Sequence, residues 1–190
     1  MIAHVHGQVW NASELGRSFG VSDTTVRRYL DILSATFVIR VLPPWFENLG
    51  KRQVKSPKTS VADSGVLHSL LGIGSHRDLE RHPKLGASWE GFGIEQVVSC
   101  LRARRDECFF WGTHAGAELD LLVVRGRRRL GFEVKRTVAP SLTPSMRAAV
   151  ADLGLERLDV VHAGTAIFPL APRVRAVAMS RLLEDVEPLP

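Results

Sequence analysis

The chain has 190 residues, enough for one medium domain or two small ones, and is 45% hydrophobic and 24% charged. That composition is expected of an ordinary soluble protein, and no span resembles a membrane helix. Lysine and arginine outnumber aspartate and glutamate by 25 to 20, a formal net charge of +5, which suits phosphate contact without requiring it. Basic runs lie at Lys51 to Lys58, Arg102 to Arg105 and Arg125 to Arg129. Cys100 and Cys108 have no metal-ligand spacing and are expected to be reduced packing residues. The N-terminus lacks the basic and apolar segments of a secretory signal, so a cytoplasmic location is expected.

Residues 1–45 predict a winged helix-turn-helix. Leu15 and Phe19 have helical spacing, Gly20-Val21 interrupts, and Ser22 is placed to cap a second helix in which Val26, Leu30 and Leu33 recur at four and three residues. Apolar residues on both sides of the turn would lock the two helices at a steep angle. Thr24, Thr25, Arg27 and Arg28 would then face outward at the start of the second helix, where such folds read DNA. Asp23 and Asp31 dilute that face, and a small helical domain that packs against another domain is the alternative. Phe37 to Leu42 reads as a strand, ended by Pro43-Pro44, that could supply a wing.

Residues 46–84 read as a connector with some structure of its own. Residues 85–190 predict an α/β domain with a central mixed sheet flanked by helices. It opens on an amphipathic helix from Leu85, with Trp89, Phe92, Gln96 or Val97, and Leu101 on its stripe and Glu90 and Glu95 beside it. Phe109 to Trp111 is a short strand and Gly112 to Gly116 a turn. Pro140 to Leu153 reads as a helix stopped by Gly154, Leu158 to His162 as an apolar strand, and Val174 to Ala178 and Ser180 to Asp185 as a last strand and short helix. His76, His82 and His114 fall in polar connectors and turns and assemble neither a zinc site nor a Ser-His-Asp triad.

Between these elements, Glu118 to Val124 and Arg129 to Lys135 flank Arg125-Gly126-Arg127-Arg128, the pattern of a β-hairpin. If Gly126 and Arg127 form a type II′ loop with glycine first, Asp120 falls opposite Glu133 and Glu118 opposite Lys135. Leu119, Leu121 and Val123 then oppose Val134, Phe132 and Leu130 on the other face. Two carboxylates opposed at about 4.5 to 5.5 Å between Cβ atoms repel, and a magnesium ion, which takes one or two carboxylates plus water and phosphate, would remove that cost. A solvated polar face with Glu118 bridging Lys135 is the alternative.

The sequence Asp120, strand turn, Glu133-Val134-Lys135 resembles the core motif of the PD-(D/E)XK nuclease superfamily, in which the acids hold the metal and the lysine orients or stabilises the attacking water. The resemblance implies a restriction-endonuclease-like domain, magnesium or manganese as cofactor, DNA as partner and endonucleolytic hydrolysis. It also implies a further glutamate on the preceding helix: Gly86 points to Glu90 by the Gly-x-x-x-Glu pattern, with Glu95 as alternate. More widely, Thr25 to Leu33, the run Lys51 to Lys58, and Asp63-Ser64-Gly65-Val66-Leu67-His68-Ser69-Leu70-Leu71-Gly72 look like the C-terminal region of unknown function in a family of prokaryotic AAA-type ATPases. That likeness covers nearly all of the chain and implies an ATPase module as partner. No Gly-x-x-x-x-Gly-Lys-Ser/Thr loop is present, since Gly50-Lys51 is followed by Arg52, so this chain is not expected to be the ATPase. A catalytically silent DNA-binding or docking region of such an ATPase is the competing expectation.

Overall fold

A computed structural model describes residues 1–47 and 53–189. Lys51 and Arg52, the start of the first basic run, lie outside the described residues, as does the Gly50-Lys51 pair. The chain divides into two compact units, Met1–Leu42 with Ser56–Gly91, and Pro43–Lys55 with Phe92–Pro190.

In the first unit, α1 (Ala12–Phe19) begins where Asn11 accepts a hydrogen bond from the Glu14 N–H and ends at Gly20 with φ +66°. The second helix, α2 (Asp23–Ala35), is capped as expected by Ser22, whose Oγ accepts from the Thr25 N–H at 3.2 Å. The turn between them is tight because Gly16 has no side chain: a Cβ there would lie 2.9 Å from the Val21 carbonyl oxygen. Leu15, Val26 and Leu30 meet Trp10, Ile39, Val61 and Leu67 in one core. Phe19, expected inside, is 55% exposed.

The strand expected after α2 is β2 (Ile39–Leu42), and its partner comes from the stretch read as a connector. There β3 (Lys58–Val61) forms the middle of a three-stranded antiparallel sheet between β1 (Gln8–Val9) and β2. Residues 56–84 thus complete the first unit rather than link it, adding α3 (Ser64–Leu70) and α4 (His76–Arg81). Short polar strands and helices of six or seven residues carry too little periodicity to be seen in sequence. His6 ties them together: its Nδ1 accepts from the Val61 N–H at 3.0 Å, so Nε2 carries the proton it donates to the Ala87 carbonyl at 3.0 Å.

Helix α5 (Leu85–Leu101) begins in the first unit and continues into the second. In the second unit it buries Ile94, Val97, Val98 and Leu101, whereas Phe92 is 39% exposed. The buried stripe is therefore rotated from the expected one. The unit is built on a six-stranded mixed sheet in the order β4-β5-β6-β7-β9-β8, comprising β4 (Cys108–Gly112), β5 (Glu118–Arg125), β6 (Arg128–Lys135), β7 (Arg157–His162), β8 (Phe168–Ala171) and β9 (Val174–Ala178). Strands β4, β5 and β6 run antiparallel, β6, β7 and β9 parallel, and β8 antiparallel to β9.

The crossover from β6 to β7 carries α6 (Pro144–Asp152), whose Met146 and Ala149, with Leu153 beyond its end, pack on Leu119, Leu122, Leu158 and Val160. On the opposite face, α5 approaches β6 at Gly93, where a Cβ would lie 2.6 Å from Val134 Cγ1. With helices on both faces the central strands are buried on both sides, which is why they read as nearly continuous apolar runs. Proline begins α6 at its first position behind a Thr143 cap, so the helix starts later than Pro140. The last helix, α7 (Leu182–Asp185), precedes the C-terminal segment.

Glu107 and Arg125 fasten the margin of this sheet. Arg125 donates through Nε and Nη2 to the two Glu107 oxygens, each at 2.8 Å, and also to the Leu189 and Arg102 carbonyls at 2.8 and 3.0 Å. The Arg125 hydrogen bonds hold the Glu107 carboxyl down to about 2, against burial, which acts in the other direction. A depressed carboxyl contributes stability above its unfolded value, and that contribution disappears as pH falls toward the folded one. Glu107→Gln is expected to lower Tm at neutral pH and to flatten the loss of Tm between about pH 4.5 and 2, measured by thermal denaturation across that range. An unchanged acid slope would show that the clamp carries none of it.

Candidate active site

Hairpin register follows the sequence expectation from the turn up to its fourth residue. Gly126 has φ +60° and Arg127 does not share a positive φ, the type II′ pattern. Pairs run Arg125↔Arg128, Val124↔Arg129, Val123↔Leu130, Leu122↔Gly131 and Leu121↔Phe132, where the ladder stops. The reason lies on the other edge of β5. Its pairing with β4 shifts from Phe109↔Leu122 to Trp111↔Leu119, three steps on β5 against two on β4. One extra residue is therefore accommodated at Asp120 and Leu121, a β-bulge, which bends a strand and re-aims its side chains.

Past the bulge the alternation of β5 is reversed. Leu119 packs with Leu122 in the cluster against α6, where a regular strand would have placed it with Leu121 and Val123. The expected pairing of Leu119 with Val134 and of Glu118 with Lys135 is thereby lost from the ladder. In its place, side chains fill the gap between the strands. The Asp120 carboxylate accepts from the Val134 N–H at 2.9 Å, and the Asp120 N–H donates to the Glu133 carboxylate at 3.4 Å.

The expected convergence of Asp120 and Glu133 is thus present, built by the bulge rather than by simple opposition. Both are buried, 2% and 3% exposed. Burial, and after it the Asp120 charge, raise the Glu133 carboxyl to about 7, while Lys135 acts in the opposite sense. Lys135, two residues on and on the same face of β6, places its ammonium 2.7 Å from a Glu133 oxygen. A cavity of about 290 Å³ adjoins it, lined by Lys135, Arg136, Thr137, Ser141, Thr143 and Met146 among others. Magnesium needs only one or two carboxylates, with water and phosphate completing its shell, so the donor set of this pair fits such an ion. Among the described residues no group of three or more His, Cys, Asp or Glu is placed to hold a metal.

Glu90 is not gathered with them by any such grouping; it lies in the first unit, 3.7 Å from Lys58. Glu95 is half-buried farther along α5. On α2, Arg27 and Arg28 are exposed, and the Thr24 and Thr25 hydroxyls lie 2.7 and 2.9 Å from Ser22 Oγ. His76 pairs with Glu80 at 3.7 Å and His82 accepts from the Lys84 N–H. Ser145 escaped sequence reasoning: its Oγ accepts from the Glu118 N–H at 2.7 Å and donates to the Glu118 carbonyl at 2.6 Å. A serine in the first turn of a helix gives no signal that its partner lies on a strand 27 residues away.

These features define an α/β protein of two units whose second unit carries a buried carboxylate pair and a lysine on a mixed sheet. Residues 1–77 match a domain of unknown function, DUF8612, and residues 85–182 match another, DUF4143. The latter spans more than half of the chain, which belongs to the DUF4143 family. Uncharacterized proteins of Mycobacterium tuberculosis and Mycobacterium bovis are each 50% identical to it over 183 residues, 96% of this chain and 41% of the relative. The chain thus spans about two fifths of the length of those relatives. No solved structure matches it. No helix among the described residues is long and apolar enough to cross a membrane.

Proposed function

We propose that the second unit is a PD-(D/E)XK nuclease-like domain that hydrolyses DNA phosphodiester bonds with magnesium or manganese, and that the first is a winged helix that holds DNA. The observation that carries it is the convergence of Asp120 and Glu133 beside Lys135 at a bulge, because two buried acids and a lysine together are costly without a task. Asp120 and Glu133 would hold the ion, which when bound supplies a Lewis acid and an activated water. Lys135, reaching from the site to the adjoining cavity, would orient the attacking water and answer the negative charge developing on phosphate. Glu90, with Lys58 as its partner, is given no role. The net charge of +5 supports contact with the backbone of DNA.

A second reading has its own support in the first unit. Phe19, Tyr29 and Ile32 are 55%, 63% and 49% exposed, and Phe19 and Tyr29 help line an apolar groove of about 520 Å³ with Trp10, Leu15, Val21 and Leu33. Exposed apolar surface of this kind suits docking on protein. DUF4143 is an AAA-ATPase-associated domain, so the alternative is a catalytically silent docking or regulatory region for an ATPase.

Two experiments separate these readings. Purified protein is incubated with plasmid, linear, single-stranded and branched DNA in magnesium or manganese, with chelator as control. Chelator-sensitive cleavage lost by ~100-fold or more in Lys135→Ala, with fold retained, is the expected result; no cleavage of any substrate, even with an ATPase module and ATP supplied, would contradict it. DNA affinity is expected to fall steeply with salt, and Arg27→Ala with Arg28→Ala together to reduce the salt slope by about two. An unchanged slope would assign α2 to docking.

A further inference from the structure

The loop that leaves β6 opens the cavity of about 290 Å³ beside Lys135, and its lining is rich in hydrogen-bond donors. Lys135 and Arg136 carry donors and no acceptor. Thr137 and Thr143 each engage the hydroxyl oxygen with a backbone amide: Thr137 Oγ1 accepts from the Ala139 N–H at 3.4 Å and Thr143 Oγ1 from the Met146 N–H at 3.2 Å. A hydroxyl that accepts from an amide keeps its own hydrogen to give. Among the described residues that line this cavity, none is an aspartate or a glutamate. Lys135 has Glu133 as its partner at 2.7 Å, so cavity and acid pair share one ammonium group, and Arg136, exposed at the next position, adds a second positive charge.

Basic residues alone do not set it apart. A cavity of about 500 Å³ near the C-terminal segment is lined by Arg128, Arg157 and Arg175, but Asp185 and Glu187 stand in the same wall. There Arg128 lies 2.8 Å from Glu156, and Arg157 and Arg175 lie 2.9 and 2.7 Å from the buried Asp159. An anion entering it meets a carboxylate with every arginine.

We infer that the cavity beside Lys135 seats a DNA backbone phosphate, the one adjoining the phosphate to be cut. A phosphodiester brings negative charge and oxygen acceptors, which a lining of cationic and hydroxyl donors matches. Ala139, Pro140 and Met146 supply an apolar side, suited to the carbon face of a deoxyribose. Contacts of this kind fix the register of a strand without reading its sequence, so the cavity sets where the strand lies over Asp120 and Glu133. That the seated phosphate adjoins the one to be cut rests on the proposed function, whereas the cavity's affinity for phosphate does not.

The test uses the full chain in chelator, so that binding is read without cleavage, and thymidine bearing a phosphate on each hydroxyl as a minimal piece of DNA. Its NMR amide shifts are expected to gather at Arg136, Thr137 and Thr143, and unphosphorylated thymidine to produce none of them. Arg136→Gln is expected to raise the Kd of the bisphosphate about tenfold, and Arg136→Lys, which keeps the charge, to raise it less. On duplex DNA, Arg136→Gln should lower the salt slope of binding by about one and Arg136→Lys should leave it unchanged. Shifts confined to other residues, or an affinity and slope that Arg136→Gln leaves as in wild type, overturn the cavity as a phosphate seat. Inorganic phosphate bound as tightly as the bisphosphate overturns DNA as its occupant. Bisphosphate bound at Arg136 by a protein that cleaves no DNA keeps the seat and removes the nuclease reading; cleavage by a protein whose binding ignores Arg136→Gln does the reverse.

Discussion

The second unit depends on one extra residue in β5. A β-bulge at Asp120 and Leu121 takes the strand out of register with β4 and, in the same step, ends its ladder with β6 at Leu121↔Phe132. What regular pairing would have filled with backbone hydrogen bonds is filled by the carboxylate of Asp120, the amide it faces on Val134, and Glu133 beyond it. Bulges recur next to functional sites because they re-aim side chains without breaking the sheet. Here the cost of bringing two acids together is set against a buried sheet in which β6, β7 and β9 pair without interruption.

Much of this frame was legible in the residues. The hairpin register near the turn was set by Gly126, since a two-residue turn with glycine first determines the pairs from Arg125↔Arg128 to Leu121↔Phe132. The cap at Ser22, the long helix from Leu85 and the strands at Leu158 and Val174 announced themselves through side-chain chemistry or apolar runs. The bulge did not. Glu118 to Arg125 alternates and is apolar in a way that fits a regular strand, and nothing local shows that Leu119 turns to the α6 face, because that choice is made by packing against Met146, Leu153 and Leu155. So the pair Asp120 and Glu133 was found for a reason only partly right, and Ser145 was missed. Glu90, drawn from a likeness of pattern, pairs instead with Lys58 on β3, a strand too short and polar to stand out.

The first unit presents two kinds of surface on one helix. Arg27 and Arg28 stand exposed near the start of α2, while Tyr29 beside them and Ile32 a turn along expose large apolar side chains. A helix that only read DNA would gain little from the latter, and one that only docked on protein would gain little from the former. Both uses are compatible with a region that accompanies a larger protein, and the mycobacterial relatives are more than twice the length of this chain.

The proposed function requires Asp120 and Glu133, which meet at the bulge, to hold a divalent ion. The most direct measurement is a crystal structure of the protein soaked in millimolar manganese, with anomalous diffraction locating the ion. The account predicts one peak between the two carboxylates, about 2.1 Å from an oxygen of each, with Lys135 displaced from Glu133. Asp120 still bound to the Val134 amide, Lys135 still on Glu133, and no peak between the acids would contradict it.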